Sequence, residues 1–158
     1  MRGPKLCVLL GLIAVTLPAN ADWQYTKWDM PLDDVVAASQ GSVHAVKPTK
    51  EKRLRDFDRY AEGVWHNGDI TYRADFYFDD AMRLKLVNLY ADPAQCPAVT
   101  SELEAARGKP DEARDTFAKI WHDAANGNDV IVTEISRKFC FVSYAPLGYA
   151  DSKGAKRD

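Results

Sequence analysis

Hydrophobic residues recur along this chain with two spacings, one typical of helices and one typical of strands. Over 96–107 they recur every three or four positions and form one helical stripe: Cys96, Val99, Leu103 and Ala106. Pro97 suits the first turn of such a helix, and Gly108 followed by Pro110 is a typical stop signal. A second, shorter helix is predicted over 31–41, opened by proline and ended by glycine.

Alternation of apolar and polar residues predicts the strands. The clearest strand spans 70–78, with one apolar face: Ile70, Tyr72, Ala74, Phe76 and Phe78. Asn67-Gly68 suits a tight turn, so we expect 60–65 to pair with this strand as a hairpin. Further strands are predicted over 82–90, 116–122, 130–135 and 139–144.

The two halves of the chain match element by element. Each has a short helix ended by glycine, a strand ending in Trp-His (Trp65-His66 and Trp121-His122), a turn containing Asn-Gly, and two more strands. A helix with three strands cannot bury its apolar faces alone, whereas two copies can. We therefore predict an α+β fold of two α-β-β-β repeats, over about 28–91 and 92–147, forming one antiparallel sheet with both helices on one face.

The N-terminal segment has the layout of a secretory signal peptide. A charged start precedes an apolar run over 6–17 and the small-x-small site Ala19-Asn20-Ala21. The run is shorter than the ~20 residues that span a membrane. We predict a signal peptide over 1–21, one domain over 22–147 without a membrane span, a disordered tail over 148–158, and a periplasmic or secreted location.

Charge and cysteine content narrow the class of protein. Without Arg2 and Lys5, 19 basic and 23 acidic side chains remain, so the domain has no general attraction for nucleic acid. Cys7 lies in the predicted signal peptide, so two distant cysteines remain in the exported chain, and they favour one disulfide over a metal site. A Cys96–Cys140 bond joins the second helix to the last strand.

We find no motif that identifies a reaction. The chain lacks a Gly-rich phosphate loop, His-Glu-x-x-His, Cys-x-x-Cys and Gly-x-Ser-x-Gly, and we predict no catalytic residue, cofactor or metal. One alternative is a small metal-binding protein or hydrolase that uses His66 and His122, which occupy matching places beside aspartates. Another is a carrier of a small apolar ligand between the helices and the sheet.

A charged segment over 47–59 concentrates basic side chains in the first half: Lys47, Lys50, Lys52, Arg53 and Arg55. Such runs are mostly solvated loops, which is the interpretation favoured here, and this one has the length of an insertion into the first repeat. The alternative is a patch for anionic ligands.

The last strand places Phe139 and Phe141 on the face opposite Cys140, which is the outer face of the predicted sheet. In the first half the equivalent positions, Thr71, Arg73 and Asp75, are polar and are expected to face solvent. Two outward phenylalanines indicate a covered surface. Cover by Trp23 and Tyr25 and cover by a partner are the two explanations.

The stretch Trp28-Asp29-Met30-Pro31, the helix that ends at Gly41 and the tandem helix–three-strand layout resemble small exported bacterial proteins of the β-lactamase-inhibitor-protein-like kind. Outer-membrane lipoproteins with the SmpA/OmlA domain are similar in layout. This chain departs from them in having no lipid-attachment cysteine and a cysteine pair only in its second half. The resemblance implies a non-catalytic envelope protein that acts by binding another protein or an envelope component.

Overall fold

The computed structural model describes residues 23–154, so the predicted signal peptide over 1–21 lies outside the described residues. The described chain forms one eight-stranded antiparallel sheet with three α-helices. The strands are β1 (Val43–Ala45), β2 (Asp58–Asn67), β3 (Ile70–Phe78), β4 (Leu84–Ala91), β5 (Glu112–Arg114), β6 (Ala118–Asp123), β7 (Asn128–Ile135) and β8 (Phe139–Pro146). The helices are α1 (Leu32–Ala38), α2 (Cys96–Arg107) and α3 (Tyr149–Gly154), with single 3₁₀ turns at Lys50–Lys52 and Pro93–Gln95. Within 23–154 we find no helix with the length and apolar character needed to cross a membrane.

The strand order is β1-β2-β3-β4-β8-β7-β6-β5, so each half of the chain supplies four adjacent strands. The halves meet where β4 pairs with β8, with Val87 opposite Tyr144 and Ala91 opposite Cys140. The sequence predicted six strands, and the two additional ones, β1 and β5, are the sheet edges. Each of these has three residues, too few for an alternating pattern to be recognised.

The hairpin predicted at Asn67-Gly68 is present. Asn67 pairs with Ile70 across the turn, and Gly68 has a φ of +54°, a left-handed conformation that glycine adopts without a steric penalty. This turn sets the register of β2 on β3. The apolar face of β3 therefore lies entirely on one side of the sheet, which we call the inner face.

The main core lies on the inner face. Val35 of α1 and Val99 and Leu103 of α2 belong to one buried cluster with the apolar residues of β3. The predicted disulfide is confirmed: Cys96 at the start of α2 is bonded to Cys140 in β8, with a Cα–Cα distance of 5.6 Å. The apolar stripe of α2 ends at Leu103, because Ala106 is exposed.

The opposite, outer face has a second buried cluster that the sequence did not predict. Tyr77, Leu86 and Ala145 are buried there and pack against three partly buried side chains, Leu54, Phe57 and Tyr149. The charged segment and α3 are therefore both anchored on the outer face. A purely solvated loop is the wrong description of the charged segment, since Leu54 and Phe57 give it an apolar side.

The predicted disorder of 148–158 is wrong over Tyr149–Gly154, which forms α3. Ala150 is buried, and its N–H donates to Asp129 Oδ2 at 2.7 Å. The buried alanine, the capped N–H and the packed Tyr149 ring anchor a segment whose composition is otherwise small and charged. Residues 155–158 lie outside the described part of the chain.

Candidate binding site

A cleft of about 370 Å³ opens on the outer face of the sheet, beside the charged segment. We call it the outer-face cleft. Its aromatic and apolar lining comes from β3, β4, β8 and the turn before α2: Tyr77, Tyr90, Ala91, Pro93, Phe139 and the disulfide-bonded Cys140. Its charged lining comes mainly from the charged segment, β3 and the β7–β8 turn: Glu51, Lys52, Arg53, Arg73 and Lys138.

The cleft is a positive region on a negatively charged protein. Four cationic side chains and one carboxylate line it, whereas the whole chain has a formal net charge of −2. The remainder of the molecule therefore carries an excess of negative charge. A concave surface lined by one sign of charge concentrates the electrostatic potential and attracts ligands of the opposite sign.

Arg73 is held in a defined orientation at the edge of the cleft. Its guanidinium lies over the ring of Tyr90, 4.4 Å from the ring centroid, and its Nη2 is 3.4 Å from Asp75 Oδ2. Arg73 and Tyr90 are direct cross-strand neighbours, as are Tyr90 and Phe141. Half of the Arg73 side chain stays exposed, so the planar donor group remains accessible to a ligand.

A buried polar network lies beneath this edge. Asp75 is fully buried and accepts hydrogen bonds from Arg73 and from Arg59 Nη1, the latter at 3.3 Å, while Arg59 also pairs with Glu62. The sequence predicted a solvent-facing Asp75, which is wrong. The reason is that Arg59, on the neighbouring strand, covers the carboxylate and compensates its charge.

The tyrosines of the cleft are tied to the sheet by their hydroxyl groups. The Tyr77 and Tyr90 hydroxyls are 3.4 Å apart, and Asn88 Nδ2 donates to the Tyr90 hydroxyl at 3.2 Å. Asn88 in turn accepts from Ser143 Oγ at 2.7 Å. Burial, followed by the hydrogen bond to Tyr90, raises the pKa of Tyr77 well above its usual value, so its hydroxyl stays protonated.

The basic residues singled out in the sequence divide into two groups. Lys52 and Arg53 line the cleft, and Arg53 also pairs with Asp58 at 3.5 Å. The other three, Lys47, Lys50 and Arg55, are exposed but do not line it. The charged segment therefore contributes two cations to a site that β3 and the β7–β8 turn complete.

The four aromatic residues proposed as one surface lie on two faces of the sheet. Phe139 lines the cleft with 58% of its surface exposed, and Phe141 packs against Tyr90 with 5.3 Å between ring centroids. Trp23 is only 3% exposed and belongs to the inner core, with Tyr25 packed against it. Cover of the phenylalanines by Trp23 and Tyr25, one of the two explanations given by the sequence, is therefore wrong.

Sequence reasoning missed Arg73, Tyr77, Tyr90 and Lys138 as parts of the site. The sequence carried a partial signal, because Arg73 and Tyr77 are at the alternate positions of β3 whose side chains point to the outer face. The pairing of β4 with β8, which brings Tyr90 beside Phe141, is not encoded in any local pattern.

The two matched histidines do not converge. His66 is on β2 and His122 on β6, five strand positions apart in the sheet, or about 24 Å at the usual strand spacing. His66 Nδ1 instead lies 3.0 Å from Thr71 Oγ1. A metal or hydrolase site built from this pair is excluded by the strand order.

His122 is part of a network that attaches α3 to the sheet. Its Nδ1 lies 2.8 Å from Asp129 Oδ1 and its Nε2 lies 3.3 Å from Glu112 Oε1. These two hydrogen bonds, chiefly the one to Asp129, raise the pKa of His122. Arg114 Nη1 donates to the Ala150 carbonyl at 2.8 Å, on the same helix that Asp129 caps.

A possible metal site is formed by Glu112, His122 and Asp151, whose potential ligand atoms lie within 4.8 Å of one another. Such residue types bind divalent cations. The guanidinium of Arg114, however, already pairs with both carboxylates of this group. Its Nη2 is 3.0 Å from Glu112 and 3.5 Å from Asp151. Hydrogen bonds from His122, then Arg114, lower the pKa of Glu112. The group is thus arranged as an ion-pair network.

Comparisons of this chain with protein-family models, curated proteins and solved structures found no match.

Proposed function

We propose that this protein is a non-catalytic binding protein whose outer-face cleft receives an anionic group of a partner protein or envelope component. The observation that carries the proposal is the convergence of four cationic side chains on an aromatic cleft in an acidic protein. Two features that are far apart in the sequence, the charged segment and the last strand, meet there.

The two parts of the lining have different roles in the proposal. Lys52, Arg73 and Lys138 attract and orient the anionic group, since complementary charge mainly sets the association rate and the specificity. Phe139 supplies apolar contact area. A few residues that become fully buried at the centre of an interface typically carry most of its binding energy.

We also propose that the protein is exported to the periplasm or secreted. The Cys96–Cys140 disulfide supports this, because such bonds persist in oxidising compartments and are rare in the cytosol. The signal-peptide layout of the first 21 residues points the same way.

The tandem α-β-β-β repeat is part of the proposal. In support, the sheet order mirrors itself about the β4–β8 pair, and each of α1 and α2 is followed by one short and three longer strands. Val35 and Val99 reach the same core cluster, as expected for two helices on one face. The resemblance to the β-lactamase-inhibitor-protein-like kind, which acts by contact, belongs to the same proposal.

The test is quantitative capture from envelope extract with the chain that begins at Asp22 as bait. Lys138→Glu and Phe139→Asp alter the cleft. Lys109→Glu and Phe117→Asp are matched controls, because both residues are exposed and neither lines the cleft.

We expect a component that the parent and both controls retain and both cleft variants lose, with weaker capture at high salt. Equal capture by all variants, or no captured component at all, would contradict the proposed function.

A further inference from the structure

A second cavity, of about 150 Å³, lies between α2 and the inner face of the sheet, away from the outer-face cleft. We propose that it binds a small planar, mainly apolar molecule that carries one acceptor oxygen, a carbonyl or a carboxylate, with Arg107 as the donor. This inference goes beyond the proposed function and does not depend on it.

The cavity is aromatic and preformed. Four aromatic rings line it: Trp23, Trp65, Tyr72 and Tyr144. The indole of Trp23 meets that of Trp65 edge to face, with centroids 5.6 Å apart, and also packs against Tyr25, Phe76 and Tyr144. A cavity of roughly 150 Å³ has room for a molecule the size of benzene. One ring is therefore the expected size of the ligand.

Arg107, the last residue of α2, provides the polar contact. Its Nη2 is 3.4 Å from Asp123 Oδ2, but its Nε is buried and has no hydrogen-bond partner within the described part of the chain. A ligand cannot reach the buried Nε, but the guanidinium carries four more N–H donors on its Nη atoms, and Asp123 lies 3.4 Å from one of these atoms. A ligand oxygen in this cavity would accept from the Nη groups of Arg107.

The other charged group at the cavity does not demand a cationic ligand. Glu102 accepts a hydrogen bond from Asn67 Nδ2 at 2.8 Å, which holds it at the exposed side. Burial, and then the charge of Glu102, raise the pKa of Tyr72 to about 12, so the phenol stays neutral. The charges of Asp123 and Arg107 cancel, and Glu102 adds one negative charge at the exposed side. This balance does not decide the charge of the ligand, so both a neutral carbonyl and a carboxylate are tested as the acceptor group.

The experiment titrates the chain that begins at Asp22 with four probes. Benzamide and benzoate carry the acceptor oxygen, whereas toluene and benzylamine present the ring without it. The indole N–H resonances of Trp23 and Trp65 in ¹H–¹⁵N spectra report binding. We expect saturable shifts with a millimolar Kd for benzamide, benzoate or both, since ligands this small bind weakly.

The acceptor-bearing probe should bind at least tenfold more tightly than toluene, and Arg107→Met should remove that advantage while leaving toluene unaffected. Ala106→Phe should fill the mouth of the cavity and abolish binding, because Ala106 lines it. The matched control is Ala105→Phe, at an exposed neighbour that does not line the cavity. Thermal melting verifies that each variant is folded.

Three results would overturn the inference. The first is equal affinity for toluene and benzamide, and the second is unchanged benzamide and benzoate affinity in folded Arg107→Met. The third is no shift of either indole resonance with any probe, which would show that the cavity holds only water.

Discussion

Removing the Cys96–Cys140 bond should destabilise the protein by an amount that follows from the chain it encloses. The two cysteines are 44 residues apart, and the loop-entropy relation gives about 4 kcal/mol for an interval of this length. Both residues are buried, so replacing them with alanine also empties a little core volume. Val99 and Leu103 still pack α2 on the sheet, and the variant should therefore fold.

The assay is urea unfolding followed by tryptophan fluorescence, with the free energy of unfolding obtained by linear extrapolation. Three samples are compared: the oxidised protein, the same protein reduced, and the Cys96→Ala/Cys140→Ala variant. Reduction isolates the effect of the bond, because both sulfur atoms remain. If reduced and oxidised protein unfold at the same urea concentration with the same slope, the chain-entropy reasoning is refuted.

Three further predictions concern the core, the buried ion pair and pH. Leu103→Ala should lower the free energy of unfolding by ~2–5 kcal/mol and Lys52→Ala by less than about 0.5 kcal/mol, because of the two only Leu103 is buried in the main core. Equal losses in urea unfolding would show that α2 does not pack on the sheet through Leu103. Asp75→Asn should cost ~1–3 kcal/mol because it removes the buried carboxylate that Arg59 pairs with while Glu62 stays in place, and a loss below about 0.5 kcal/mol would contradict that burial. Since the folded pKa of His122 is raised, its stabilising contribution is complete below about pH 6.5 and declines as the pH rises through the folded pKa. His122→Gln should abolish this decline in thermal melts between pH 5 and pH 8, and an identical pH profile for the two proteins would refute it.

Elements with a local signal were predictable from the sequence. The helix over Cys96–Arg107 follows from its apolar spacing and Gly108, and the β2–β3 hairpin follows from Asn67-Gly68. The disulfide followed from counting the cysteines outside the predicted signal peptide. Each of these inferences needs only neighbouring residues or a count.

The outer face was not predictable because its cover comes from distant segments. The alternation within β3 predicts that Asp75 faces solvent, and only the pairing of β2 with β3 places Arg59 over its carboxylate. Leu54, Phe57 and Tyr149 are isolated apolar residues in charged surroundings, and nothing local shows that they meet on Tyr77 and its neighbours. The outer-face cleft depends on the same long-range pairing, so only Lys52, Arg53 and Phe139 were recognised.

The position of β8 has a consequence for how the chain acquires its structure. β4 is buried along Leu84 and Leu86–Leu89, and within the described chain one of its edges is covered by β8, the last of the eight described strands. Because a chain is synthesised from its N-terminus, β1–β4 are made before β8. Until β8 is made, the edge of β4 that will pair with it is uncovered. Such an edge is a template for pairing with other chains. A fragment that stops after β4 should aggregate, and folding is complete only when the final strand enters the middle of the sheet.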